Sequence, residues 1–222
     1  MGANYDDFLS HIKSIDWYHA GPTHGLTEVL KNGMQEPTLQ SPGLPSKVNN
    51  IPRLGSYGPG LNFASNLDDI KEYFKMSQEK DPKSAILTAK LTSRQPLVNA
   101  NMLHGVETPN FRERLMSGLD FEEEKIKRNV LDGIYPDHHG DYLIDKINLL
   151  RRGVEANSAD RIGQAAPYAG FDSYVTDDHQ LQSIWNQNTN GTSLQAVVNK
   201  PYAMRALKVR HGSLSEMFRG LQ

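Results

Sequence analysis

Apolar positions recur along the chain with two different periods, and the period switches several times. Tyr5, Phe8, Leu9 and Ile12 fall three or four residues apart, which predicts a short amphipathic helix over residues 3–15. Asp16-Trp17-Tyr18-His19 reads as a short strand. The helical period returns from Thr23 to Asn32, where Leu26, Val29 and Leu30 share a face and Gly33 is set to stop the helix. Residues 34–59 hold five prolines among Gly, Ser and Asn, which predicts a long loop, and loops of that length inside a domain are usually functional or mobile. LNFAS (61–65) is a second strand. Asn66 then caps a helix, LDDIKEYFKMSQEK, whose Asp68 and Asp69 suit the positive end of the helix dipole. AILTAKL (85–91) is a third strand, and PLVN (96–99) continues it or starts another. Residues 107–153 change character: FRERLMSGLDFEEEKIKRNVL and YLIDKINLLRR are charged and helical, and read as a helical insertion. Asn157 or Ser158 caps one more helix, SADRIGQAA, and FDSYVTDD (171–178), SLQAVVN (193–199) and MRALKVR (204–210) read as strands. Short strands separated by helices and loops, without regular βαβ spacing, predict an α+β fold in a single domain over residues 1–222.

Composition narrows the function classes. The formal net charge of −2 gives no electrostatic footprint for nucleic acid. Mean hydropathy is −0.58, and no run approaches the roughly 18 apolar residues of a membrane span. The N-terminal stretch has neither a basic start nor a long apolar segment, so a cleavable secretory signal is not expected. Asp6 stands where a myristoylation signal at Gly2 wants Ser or Thr. There are no cysteines, which removes disulfides, thiolate zinc sites and a cysteine nucleophile together. The expectation is a cytoplasmic protein, or one secreted without a cleavable signal into a host or target cell.

Two stretches carry candidate chemistry. In WYHAGPTHGLTEVLKNG (17–33), a histidine after Trp-Tyr is more often a satisfied structural residue than a functional one. The small residues that follow, Ala20 and Gly21, let a planar ligand approach the backbone. In GSYGPGLNFASNLDDIKEYF (55–74), the bland reading is a loop-strand-helix connection. The functional one has Gly58 and Gly60 admit a ligand against the backbone while Tyr73 offers a flat aromatic face. PDHHGD (136–141) gathers two His and two Asp but reads as a polar turn between helices rather than a metal site. FEEEKIKR reads as a solvated helix face with i,i+4 pairs. No Walker-type lysine motif and no GxSxG elbow is present.

Taken together, the two stretches resemble the ADP-ribosyltransferase superfamily, the fold of bacterial toxins and poly(ADP-ribose) polymerases. Its first motif, approximately Tyr-His-Gly-Thr before a helix ending in Gly, is matched by Tyr18-His19-Ala20-Gly21 and LTEVLKNG. Its second, approximately Gly-x-Gly-Ile-Tyr-Phe-Ala, is matched by Gly58-Pro59-Gly60-Leu61-Asn62-Phe63-Ala64, with Tyr73 at the offset of a tyrosine that stacks on nicotinamide. Its third, a Glu opening a strand, is best matched by Gln195-Ala196-Val197-Val198-Asn199, after a strand Gly170-Phe171-Asp172-Ser173-Tyr174-Val175. Two positions depart from the pattern: Asn62 replaces the second-motif tyrosine and Gln195 the glutamate. Asp177 and Asp178 offer a carboxylate nearby.

The resemblance implies a split β-sheet core with an NAD+ cleft, and NAD+ as substrate. It implies a mono-ADP-ribosyltransferase, a bacterial or phage toxin or effector that modifies a protein of a host or competitor. An NAD+ glycohydrolase and a catalytically degenerate binding module are the alternatives. The implied site is His19, Asp178 and Gln195 for catalysis, with His19, Ala20, Gly21, Gly60, Asn62, Phe63, Ser65 and Tyr73 around the dinucleotide. His19 would orient the adenosine-side ribose, and Ala20 would pair with the carboxamide. Asp178 or Gln195 would bind the nicotinamide ribose, only the Asp adding charge. The protein target would meet loop 179–192, with His179, Gln180, Gln182, Trp185 and Asn186, and the insertion 107–153. Trp185 on its own reads rather as an ordinary core or loop aromatic.

Overall fold

A computed structural model describes residues 4–34, 46–48, 51–53, 60–80, 82–177 and 193–218. The first helix, α1 (Tyr5–Ser14), is capped by the Asn4 side chain, which accepts from the Asp6 N–H, and it buries Phe8 and Ile12. The buried Trp17 indole N–H donates to the Ile12 carbonyl at 2.8 Å, so the polar end of a large apolar side chain is satisfied. Strand β1 (Trp17–Pro22) runs three residues past the predicted end, because Ala20, Gly21 and Pro22 stay in register with a neighbouring strand. Helix α2 (Thr23–Asn32) has the predicted bounds and ends at Gly33, whose φ of 78° suits glycine. Within the expected long loop, β2 (Ser46–Val48) and β3 (Ile51–Arg53) pair as a small hairpin.

Strand β4 (Leu61–Ala64) leads into Asn66, whose side chain accepts from the Asp68 N–H at 3.0 Å. Asp68–Ile70 is a 3₁₀ turn, with Leu67 rather than Asn66 at the N-cap position, and continues as α3 (Lys71–Lys80). β5 (Ser84–Leu91) and β6 (Pro96–Ala100) are separate strands far apart in the sheet, so PLVN starts a new strand. Then come β7 (Val106–Glu107), α4 (Phe111–Leu131), α5 (Asp137–Glu155) and α6 (Ala159–Ala165). PDHHGD opens α5 rather than forming a turn, and no group of metal-binding side chains converges among the described residues. β8 (Ser173–Thr176), β9 (Gln195–Val198), β10 (Met204–His211) and α7 (Leu214–Met217) follow.

The protein is α+β, and its main sheet has eight strands in the order β10-β5-β1-β4-β9-β8-β6-β7. All pairs are antiparallel except β6 with β8. One face carries Trp17, Phe63, Leu87, Val98, Val175 and Ala196 and is covered by α1 and α2 through Phe8, Ile12, Leu26 and Val29. Fully burying each such side chain is worth about 1.5–3 kcal/mol. The other face has two separate apolar patches. Phe74 of α3 and Met217 of α7 cover Ala64 and Ile86, while α4, α5 and α6 cover Leu97, Tyr174 and Val197. The predicted helical segment 107–153 thus forms most of a layer on the sheet.

Asp172, at the entrance to β8, knots three segments. Its buried carboxylate accepts from the Ser93 hydroxyl and from the Arg94 and Gln95 N–H groups at 2.8 and 3.2 Å. Its backbone carbonyl accepts from the Asn199 N–H at 2.9 Å. On the outer helices, Glu123 pairs with Lys127 and Arg151, as the predicted charged face requires. These hydrogen bonds hold the Glu123 carboxyl below the usual carboxylate range, Lys127 first and Arg151 next. A depressed folded-state pKa contributes stability above the unfolded value of 4.5 that is lost as pH falls through the folded value. Urea unfolding should therefore show Glu123→Gln costing up to about 1 kcal/mol at pH 7, with the difference from wild type closing below pH ~4.5.

Candidate functional site

Strands β1, β4 and β9, which carry the three motif stretches, lie side by side. The contact between β1 and β4 is a single registered pair, Tyr18 opposite Ala64. The expected split sheet is one continuous sheet with a seam here. Beyond that pair the strands fork, and β1 follows β5 through Pro22 while β4 follows β9 back to Leu61.

His19 fills the fork. Its Nδ1 lies 2.6 Å from the Asn62 carbonyl oxygen, and its ring is 5.5 Å from that of Phe63. A carbonyl only accepts, so Nδ1 carries a proton and donates to it. The imidazole N–H thus serves a carbonyl facing the seam where regular β1–β4 pairing has ceased. The histidine is 5% exposed, so the fork closes tightly around it. Ala20 and Gly21 line one prong, each registered with β5 on its outer edge.

Asn62 and Gln195 share a sheet face. Asn62 is opposite Val197, and Gln195 is opposite both Ala64 and Thr176. Alternation then sets both side chains between the α3 patch and the α4–α6 patch, where neither helical layer is anchored. Among the described residues the buried Asn62 Oδ1 has no hydrogen-bond partner, an arrangement that costs free energy until a donor arrives. Helix α3 lies over β1 on this face and carries Tyr73, whose side chain is outside the described set.

Three expected ligand contacts have a structural cause instead. The space beside the Gly60 Cα is taken by the chain itself: a Cβ there would lie 2.2 Å from the Val198 carbonyl oxygen, at a φ of 146°. The approach of β9 by itself requires glycine at this position. Gly60→Ala should lower the thermal midpoint, by about 3 kcal/mol of stability, through this clash and the backbone strain. Ser65 is also committed, its Oγ accepting from the Leu194 N–H at 2.8 Å and its N–H donating to the Leu194 carbonyl at 2.9 Å. Phe63 is a buried core residue that packs on His19.

Asp177 is not a free carboxylate either. It is 1% exposed and accepts from the backbone N–H groups of Met102, Leu103 and His104, pinning the turn after β6. Asp172 and Asp177 thus hold the two ends of β6 from the two ends of β8. Asp177→Ala should cost about 2 kcal/mol in urea unfolding, less than a fully enclosed set of donors, because that turn is partly exposed. Gly58, Asp178 and loop 179–192 lie outside the described residues. Sequence reading missed the seam itself. The signal for it was the need for a histidine side chain in the middle of a strand, with small residues after it.

No family model, no curated protein and no solved structure matches the chain.

Proposed function

We propose that the protein is a mono-ADP-ribosyltransferase that cleaves NAD+ and transfers ADP-ribose to a protein. The observation that carries this reading is the fork. The His19 strand, the Leu61–Ala64 strand and the Gln195–Val198 strand are neighbours, and regular pairing between the first two stops beside His19. The backbone edges left without regular pairing there suit contacts to a flat ligand. The orphaned Asn62 Oδ1 fits a donor such as an amide or a sugar hydroxyl.

In this proposal His19 is a positioning residue. Its Nδ1–H is held by the Asn62 carbonyl, so the ring orientation is set before the dinucleotide arrives, and the ring is assigned to the adenosine-side ribose. Ala20 supplies backbone groups to the carboxamide. The bond from ribose to nicotinamide breaks with positive charge developing on the sugar, as in glycoside hydrolysis. Gln195 hydrogen-bonds the sugar but carries no charge, so the compensating carboxylate is assigned to Asp178, Asp177 being committed to its turn. With that carboxylate in place, the nucleophile is a side chain of the protein target on the opposite face of the sugar.

Asp178→Ala should reduce labelling of a lysate protein by tagged NAD+ by about a hundredfold or more, and Gln195→Ala by about tenfold. Loss in Gln195→Ala with full activity in Asp178→Ala would reverse the assignment. A second reading, a binding module without transfer chemistry, is favoured by one observation: the described carboxylate nearest the third motif, Asp177, is spent on structure. Binding of NAD+ without nicotinamide release would select it. Release without protein labelling would select a glycohydrolase.

A further inference from the structure

The helical layer carries a second feature that the NAD+ reading does not use. A groove of about 640 Å³ runs along α4, from Asn110 past Arg114 and Gly118 to Phe121, with Tyr168 on its far wall. Its lining residues are spaced three or four apart on the helix, so they form one continuous stripe. Gly118 makes the groove possible. A Cβ there would sit 2.6 Å from the Tyr168 carbonyl oxygen, so only glycine lets the 166–169 turn nest against the helix.

The Arg114 guanidinium lies over the Phe171 ring, 4.1 Å from its centroid. That contact shields one face of the guanidinium and fixes its plane, leaving its N–H edge for an acceptor. Arg114 has no carboxylate partner among the described residues, although Asp120, Glu122 and Glu123 on the same helix pair with Arg151, Lys125 and Lys127. Among the described residues it is the one cation lining the groove, beside one carboxylate, Glu113. Burial first, and Glu122 second, push the Tyr168 hydroxyl well above its usual range, so it stays a proton donor. At the groove's end Phe121 is 69% exposed, a large apolar surface with no cover.

We infer that this groove docks an extended peptide segment of a partner protein, with an Asp or Glu side chain on Arg114 and Tyr168 and a neighbouring apolar side chain on Phe121. Glu113 takes backbone N–H groups of the same segment. The carboxylate and the planar guanidinium pair through two parallel hydrogen bonds, the geometry that distinguishes Arg from Lys. The inference is independent of NAD+ chemistry, since docking needs no dinucleotide. If the transferase proposal holds, the groove is where the protein substrate is gripped.

The test is selection of a displayed random nonapeptide library on the full-length protein without NAD+, in parallel with Arg114→Gln and Phe121→Ala. Both side chains are exposed, so unchanged thermal midpoints are expected. Wild type should enrich peptides with Asp or Glu next to an apolar residue. Synthetic versions should bind about tenfold or more weakly to each variant, and to wild type when their acid is changed to the amide. Absence of enrichment, or the same peptides selected equally by Arg114→Gln, would overturn the inference. So would competition by N-acetylglutamate at the peptide's own concentration, which marks a small-carboxylate site. Self-association abolished by Arg114→Gln would instead seat a second copy there, and would also overturn it. Failure of nicotinamide release leaves all these outcomes unchanged, so the two proposals fail separately.

Discussion

Asp172→Ala is expected to remove about 3–5 kcal/mol from the stability of the fold, measured by urea unfolding at neutral pH. The carboxylate is 1% exposed and receives the Ser93 hydroxyl and the Arg94 and Gln95 N–H groups. Alanine leaves the buried Ser93 hydroxyl and two part-buried backbone N–H groups without this acceptor, and each unmet buried donor costs about 1–3 kcal/mol. A domain of this size has only about 5–15 kcal/mol in total, so the variant should be marginal at 37 °C. Asp172→Asn keeps the shape and can hold its amide oxygen on the Arg94 and Gln95 N–H groups with its N–H₂ donating to the Ser93 hydroxyl oxygen, so less than half the loss is expected. A loss under about 1 kcal/mol for alanine would mean that the connection between β5 and β6 is held by something other than this carboxylate.

His19→Ala is expected to weaken NAD+ binding about a hundredfold, read by titration calorimetry or by the NAD+-induced thermal shift. Two effects add. The imidazole that would meet the ribose is gone, and the Nδ1 link to the Asn62 carbonyl, 2.6 Å in wild type, is lost, so the fork is no longer held at one width. His19→Gln separates them. Its amide can still donate to that carbonyl, so stability should recover toward wild type while NAD+ affinity stays low. Equal recovery of both would make His19 a strand fastener alone. Unchanged NAD+ affinity in His19→Ala would remove the residue from the site altogether.

Much of the architecture was legible because local signals agreed with the tertiary solution. α2 has its predicted bounds since the Leu26 and Val29 stripe, the Pro22 entry and the Gly33 exit all point the same way. Asn66 reads as the cap, but the N-cap position is Leu67, and the Asn66 side chain instead accepts from the Asp68 N–H two residues on. The end of β1 was not legible: Ala20-Gly21-Pro22 looks like a turn, and only pairing with Ile86, Ala85 and Ser84 keeps it extended. The separation of β5 from β6 is likewise a long-range effect, imposed by Asp172 on the loop between them.

At the site, residue types were easier to read than their duties. Gly60 and Ser65 look like ligand-binding residues in a Gly-rich stretch, but the approach of Val198 and the N–H of Leu194 explain them. Asp177 and Asp178 are indistinguishable as letters; the described turn at 102–104 claims the first. The adjacency of β1, β4 and β9 follows from pairings between residues more than forty positions apart, which no local pattern encodes.

The central claim is that the fork at His19 receives NAD+ and that the bond to nicotinamide breaks there. Its most direct test is incubation of the wild-type protein with NAD+ and a cell lysate, following free nicotinamide by chromatography and ADP-ribose on protein with a tagged NAD+. The expected result is stoichiometric release of nicotinamide with label on a discrete protein band, both lost in His19→Ala. No NAD+-induced thermal shift and no nicotinamide release by wild type would contradict the claim.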